Sequence, residues 1–165
     1  MFDALSAWLH TTVGGEILWT AFISMLPIVE LRGGLPAGVA MGLPIPVAFA
    51  AAFVGNMIPV PFIILFIRKI FVFIRRYLPR LAHIIDRIEA KGLAKSKRVL
   101  DYQTWGLLLF VAIPLPGTGA WTGTLGASFL NMGPKATALS VSLGVVLAGI
   151  IMSVVSLLGL HIFGL

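Results

Sequence analysis

The sequence predicts an all-α polytopic membrane protein: an inverted repeat of a re-entrant hairpin plus a transmembrane helix, with amphipathic surface helices. Three observations predict it. The mean hydropathy is +1.04, and only 11% of residues are charged, against roughly 25% in a soluble domain. Ten of the 12 Lys and Arg residues lie between Arg68 and Arg98, the cluster expected of a cytoplasmic loop under the positive-inside rule. One order of parts also occurs twice along the chain: short apolar piece, Pro-Gly break, short apolar piece, Pro turn, long apolar run.

Composition excludes several classes. Without cysteine there is no disulfide framework, thiolate chemistry or Cys metal site. His10, His83 and His161 show no ligand spacing, so neither metal nor cofactor is expected. No Ser-His-Asp set or P-loop appears, so no catalytic residue is assigned and an enzyme is not expected. The net charge of +6 raises nucleic acid as a partner. The basic stretch 79–100 lacks the aromatic side chains that stack on bases, so the partner it points to is a lipid surface. Met1-Phe2-Asp3 has no positive n-region, which argues against a cleaved signal peptide.

A single membrane domain over 1–165 then reads in order. Residues 1–14 place Phe2, Leu5, Trp8, Leu9 and Thr12 at helical spacing, an amphipathic helix either at the interface or packed on the bundle. Gly14-Gly15 should break it. The first hairpin covers 16–43, two short apolar helices either side of Pro27–Pro36, the second from Leu35. The competing reading is one kinked spanning helix over 17–43. Gly42-Leu43-Pro44-Ile45-Pro46 is a turn. A transmembrane helix with a cytoplasmic extension covers 44–78, kinked by Pro59 and Pro61, with Asn56 capping a freed carbonyl. Residues 79–101 carry an apolar stripe (Leu81, Ile84, Ile85, Ile88) among basic residues, a cationic surface helix on anionic lipid. The second hairpin covers 103–131, with Trp105–Ile113 and Leu125–Leu130 around a broken turn. After Asn131-Met132-Gly133-Pro134, a second transmembrane helix covers 134–162.

The first tip draws attention because Glu30 and Arg32 are the only ionisable residues between Ile17 and Ile67. A charge at bilayer depth costs about 2.5–3.5 kcal/mol on insertion scales, and irregular backbone is tolerated there only where protein buries it or a wet cavity meets it. Pro27 matches Pro114 at an offset of 87, Gly38 and Pro46 match Gly126 and Pro134 at 88, and Gly55 matches Gly144 at 89. Each half crosses the bilayer once, so the second half is inverted, as in many secondary transporters. With the loop 68–101 cytoplasmic, the first hairpin enters from outside and the second from inside, and the tips meet centrally.

The stretch Pro27-Ile28-Val29-Glu30-Leu31-Arg32-Gly33-Gly34-Leu35-Pro36-Ala37-Gly38, with Ile113-Pro114-Leu115-Pro116-Gly117-Thr118-Gly119-Ala120-Trp121, resembles the signature of the bacterial family labelled putative small multidrug export proteins, over nearly the whole chain. That family is similar to the DedA/VTT membrane proteins. The resemblance implies facing re-entrant hairpins, an inner-membrane location and ion-coupled flipping of a lipid such as a polyprenyl phosphate. The superfamily's second hairpin carries an arginine, whereas residues 110–124 here carry no charge.

At the tips, a carboxylate in a low-dielectric site can trade protons near neutral pH, which makes Glu30 the candidate proton carrier. Arg32 can hold a phosphate bidentately. Gly33, Gly34, Gly117 and Gly119 let backbone amides approach an anion, aided by half-helix N-termini near Leu35 and Ala120. Pro36, Pro114, Pro116, Thr118, Trp121 and Thr122 complete the candidate substrate site. The plainer alternative is that Glu30 and Arg32 neutralise each other and staple the hairpin. The function expected is proton-coupled movement of an amphipathic phospholipid. The alternatives are export of lipophilic cationic drugs, or a non-transporting lipid-binding scaffold. Membrane lipids and a second copy, as a homodimer, are the expected partners.

Overall fold

A computed structural model describes residues 12–77, 86, 103–115, 117–130 and 132–163. The surface helix expected over 1–14, apart from its last three residues, lies outside the described residues. So do the basic helix expected over 79–101, apart from Asp86, and the candidate site residue Pro116. The described residues form helices and no strand.

Helix α1 (Val13–Met25) begins at a Thr12 cap, whose hydroxyl accepts the Gly15 N–H at 3.1 Å. Gly14-Gly15, expected to break the chain, therefore lies inside the first turn. A threonine cap contributes about 1 kcal/mol, comparable to what one interior glycine costs. After a turn at Leu26–Val29, α2 (Glu30–Ala40) starts at Glu30, five residues before the expected start at Leu35. Pro36 sits inside α2 and frees the Arg32 carbonyl. At 13 and 11 residues, these arms are about 20 and 16 Å long, short of a ~30 Å hydrocarbon core.

Helices α3 (Ile45–Met57) and α4 (Pro59–Tyr77) form one rod broken at Ile58, whose own φ/ψ of −56/−48 is helical. Pro59 and Pro61 lack the N–H groups that would bond the Gly55 and Met57 carbonyls, so the expected kink is present. Asn56 is buried, and its Oδ1 has no hydrogen-bond partner. Then come α5 (Gln103–Ala112), α6 (Ala120–Phe129) and α7 (Pro134–Phe163). Two stretches, Ile45–Ile67 and Pro134–Gly159, have mean hydropathies of 2.2 and 2.5 and are long and apolar enough to cross a membrane.

The core gathers Leu31, Leu35, Ala52, Val60, Val111 and Val145. Phe22, Val54, Phe62, Leu65, Leu143 and Ile150 face outward, an apolar exterior suited to lipid rather than water. Thr20, Ser24 and Thr124 are buried and bond back to the carbonyls of Glu16, Thr20 and Ala120, so these three allow close helix contact without orphaning their hydroxyls.

The halves repeat in their hydrogen bonds as well as their order. Leu43 donates to the Gly38 carbonyl and Met132 to that of Ala127; Ala48 donates to Pro44 and Thr137 to Gly133. Each pair lies 89 residues apart. The offset of 88 read from Pro46 and Pro134 is thus wrong by one. Pro46 is the second residue of α3 and Pro134 the first of α7, and a helix's first turn accepts proline at either place. The first arms repeat at 87: Gly55 abuts the Ala21 carbonyl and Gly144 the Leu108 carbonyl, with no room for a Cβ at either.

Each first arm packs on its own half's long helix (α1 on α3, α5 on α7), and each second arm crosses to the other half (α2 on α7, α6 on α4). The Phe49 ring lies against Gly149 and the Ser142 hydroxyl points at the Met57 sulfur, 4.0 Å away. The long helices therefore run antiparallel, with Gly55 and Gly144 near their crossing.

Gly55→Ala and Gly144→Ala should each destabilise the protein by about 2 kcal/mol or more, because a backbone carbonyl blocks the new methyl. Gly126→Ala, in open space, should be neutral or stabilising by about 0.5–1 kcal/mol. Thermal unfolding in detergent checks this; three equal midpoints would refute the interlocked crossing.

Candidate functional site

Glu30 opens α2 with a φ of 53°, a left-handed conformation that costs a non-glycine residue about 1–2 kcal/mol. Its side chain is 4% exposed, and the carboxylate accepts the N–H groups of Ala120 at 3.2 Å and Trp121 at 3.1 Å. These are two of the unsatisfied amides at the start of α6. The residue before them, Gly119, makes no side-chain cap. Its φ is 146°, and a Cβ there would fall on the Glu30 carboxylate. The first hairpin thus supplies, from 90 residues away, the anionic cap that the second hairpin lacks.

Arg32, half-buried, leaves the next part of α2 in another direction. One guanidinium nitrogen donates to the carbonyls of Leu115 and Thr118. The other donates to Val111 at 3.2 Å and Ile113 at 3.0 Å. Val111 belongs to the last turn of α5, whose carbonyls have no partner further along the helix. A cation at a helix C-terminus is the favourable complement to an anion at an N-terminus. Both charges of the first tip therefore find their hydrogen bonds on the backbone of the second. The plainer alternative had Glu30 and Arg32 neutralise each other and staple one hairpin; instead each charge bonds the backbone of the other hairpin.

Two further bonds hold the tips. The Thr118 hydroxyl, 2.9 Å from the carbonyls of both Ile113 and Leu115, closes the second tip on itself. The Trp121 indole N–H donates to the carbonyl of Met25, the last residue of α1, at 3.1 Å. Between the tips lies a cavity of about 470 Å³.

Of the candidate residues, Glu30, Arg32, Pro114, Gly117, Thr118 and Thr122 line this cavity, while Gly119 and Trp121 touch the Glu30 carboxylate from behind. Gly33, Gly34 and Pro36 do not line it. The early start of α2 places them within the helix, where the Gly33 amide bonds Val29 at 3.1 Å and Gly34 abuts the Ser24 side chain. The amides that meet an anion belong to Ala120 and Trp121 instead. Sequence reasoning missed Pro27, Ile28 and Val29 as cavity walls, although they precede Glu30 directly. It also missed the carbonyls of Met25, Val111, Ile113 and Leu115, which carry no side-chain signal. Among the described residues, no three His, Asp or Glu gather as a metal site.

The profile of the family described as "putative small multi-drug export protein" matches residues 30–151. The match begins at Glu30 and takes in both tips and most of α7. The chain matches no curated protein and no solved structure.

Arg32→Ala strips the charged donor from four carbonyls, of which those of Ile113 and Leu115 keep other donors, and should cost about 3 kcal/mol or more. Arg32→Lys, a point charge that cannot fork, should recover less than half of that. Thermal or denaturant unfolding in detergent measures both. A wild-type midpoint for Arg32→Ala would remove the clamp from the account.

Proposed function

The chain belongs to the putative small multi-drug export protein family, and from that premise we propose that it moves an amphipathic substrate with an anionic, phosphate-type head group across the membrane, coupled to a proton. The observation that carries the reading is the tip cavity, where the protein's own carboxylate occupies the α6 amides and its own guanidinium occupies a cluster of carbonyls.

The architecture supports transport. Equivalent long helices run antiparallel and the paired short arms are too short to span, as expected of an inverted repeat whose broken elements meet at mid-membrane. On this reading both hairpins are re-entrant, the loop 68–101 is cytoplasmic and the membrane is the inner one. The family's similarity to the DedA/VTT proteins supports the same reading, a lipid-linked phosphate.

The choice of an anion follows from which group can leave. Arg32 stays charged at any accessible pH. Glu30 becomes neutral by taking one proton, and a neutral carboxyl holds the helix amides far less tightly than a carboxylate. In the proposed cycle a proton frees Glu30 from Ala120 and Trp121, and the head group's oxygens take those amides beside Arg32. Loss of the proton returns Glu30 and expels the head group. The apolar tail stays in lipid throughout. The cycle makes and breaks no covalent bond in the substrate, so the protein is a transporter and not an enzyme.

A second reading has one observation in its favour: the carbonyls of Val111, Ile113, Leu115 and Thr118 form a cage that holds a cation. A lipophilic cation displacing Arg32 would fit the family's description. Competition separates the two, since phosphate lipids should inhibit under the first reading and lipophilic cations under the second.

In proteoliposomes, Glu30→Gln should abolish the response of transport to a pH gradient, and Arg32→Ala should reduce transport to background. Full gradient-driven transport by both variants would remove the mechanism.

A further inference from the structure

The offset of 89 that relates the second arms carries Arg32 onto Trp121, and the offset of 87 that relates the first arms carries Met25 onto Ala112. Arg32 donates to Val111 and Ile113, the two neighbours of Ala112. Trp121 donates through its indole N–H to Met25. The same contact is therefore made twice, once in each direction, by residues of different chemistry. Each is a side chain two positions after the positive-φ residue of its half, Glu30 or Gly119, reaching across to the end of the other hairpin's first arm.

We propose that Trp121 is the second half's counterpart of Arg32, and that the two side chains are reciprocal latches. Each ties its own tip to the last carbonyls of the other hairpin's first arm, and the tip cavity opens by releasing one latch at a time. The latches are unequal. Arg32 makes four charge-assisted bonds, to Val111 and Ile113 at the end of α5 and to Leu115 and Thr118 in the loop beyond it, whereas Trp121 makes one neutral bond to the end of α1. Charge-assisted bonds are roughly twice as strong as neutral ones. The α1 side is therefore the weaker closure and opens first. The Trp121 backbone amide also holds Glu30, so motion of this residue loosens the carboxylate and the indole together. Trp121 is a positioning residue: it sets which end of the cavity is free, and the substrate need not touch it.

This inference rests on the transport reading, in which the tips part. The chain has no cysteine, so one introduced thiol is a unique reporter. Thr122→Cys places it on the cavity wall, and a charged, water-soluble maleimide measures its access in proteoliposomes holding the full chain. Trp121→Phe keeps an aromatic ring but loses the N–H; it should raise the labelling rate roughly three- to tenfold, the equilibrium worth of one hydrogen bond. Trp121→Arg and Trp121→His each return a donor, and at least one should restore the slow rate. Size-exclusion profiles confirm that each variant is folded.

If Arg32→Ala speeds labelling and Trp121→Phe does not, the latch is refuted while the transport reading stands. If Trp121→Phe speeds labelling and neither donor restores it, the indole acts by its bulk and the equivalence to Arg32 falls. If neither Arg32→Ala nor Trp121→Phe changes the rate, the tips do not part and both readings fall together.

Discussion

Two kinds of unsatisfied group meet at the centre of this protein and each cures the other. The tips leave amides at the start of α6 and carbonyls at the end of α5 without partners in their own helices, and on the re-entrant reading proposed above water is not at hand to serve them. A lone Glu30 and a lone Arg32 in the same region are equally costly if unpartnered. The carboxylate goes to the amides and the guanidinium to the carbonyls, so the sign of each charge matches the helix end it covers. Replacing such a pair with apolar residues would be harmless in many proteins. Here it would leave two helix ends bare, and that is why the pair belongs to the fold as well as to the site.

The departure from two-fold symmetry has a steric origin. Glu30 and Gly119 are equivalent, and both have positive φ. They also face each other, and a Cβ on Gly119 would occupy the space of the Glu30 carboxylate. Near the axis of a two-fold arrangement there is room for one such side chain. One half therefore contributes an acid and the other the gap that receives it. Two residues on from that crowding both halves can keep a side chain, and there Arg32 and Trp121 differ in charge while reaching equivalent places.

Much of this was legible in the residues. Apolar runs and Pro-Gly breaks locate the described helices, because in a bilayer few other signals compete with hydropathy and helix breakers, although α2 and α6 begin at Glu30 and Ala120 rather than at the expected Leu35 and Leu125. The errors have local causes. Gly14-Gly15 breaks nothing because Thr12 caps the helix around it. Helix α2 begins at Glu30 rather than Leu35, because a left-handed residue there, held by long-range bonds, lets the helix start early. Glu30 and Arg32 stood out as isolated charges. Their partners did not, since a carbonyl of Val111 or an amide of Ala120 looks the same in any sequence. The Trp121–Met25 bond was hidden for the same reason, and it becomes visible only when the register of the repeat is corrected by one residue.

The backbone at Glu30 bears on which part of the clamp moves. A left-handed glutamate persists only where its surroundings over-determine it, and what holds it here is the pair of bonds to Ala120 and Trp121. Protonation weakens those bonds, and relaxation of φ then favours withdrawal of the side chain. Arg32 has no such route, because it cannot discharge and its bonds are spread over four carbonyls. On the proposed transport reading, a clamp made of one releasable and one permanent ion has two discrete states, with Glu30 on the amides or off them, and the off state presents free amides beside a fixed cation, which is the surface an anionic head group needs.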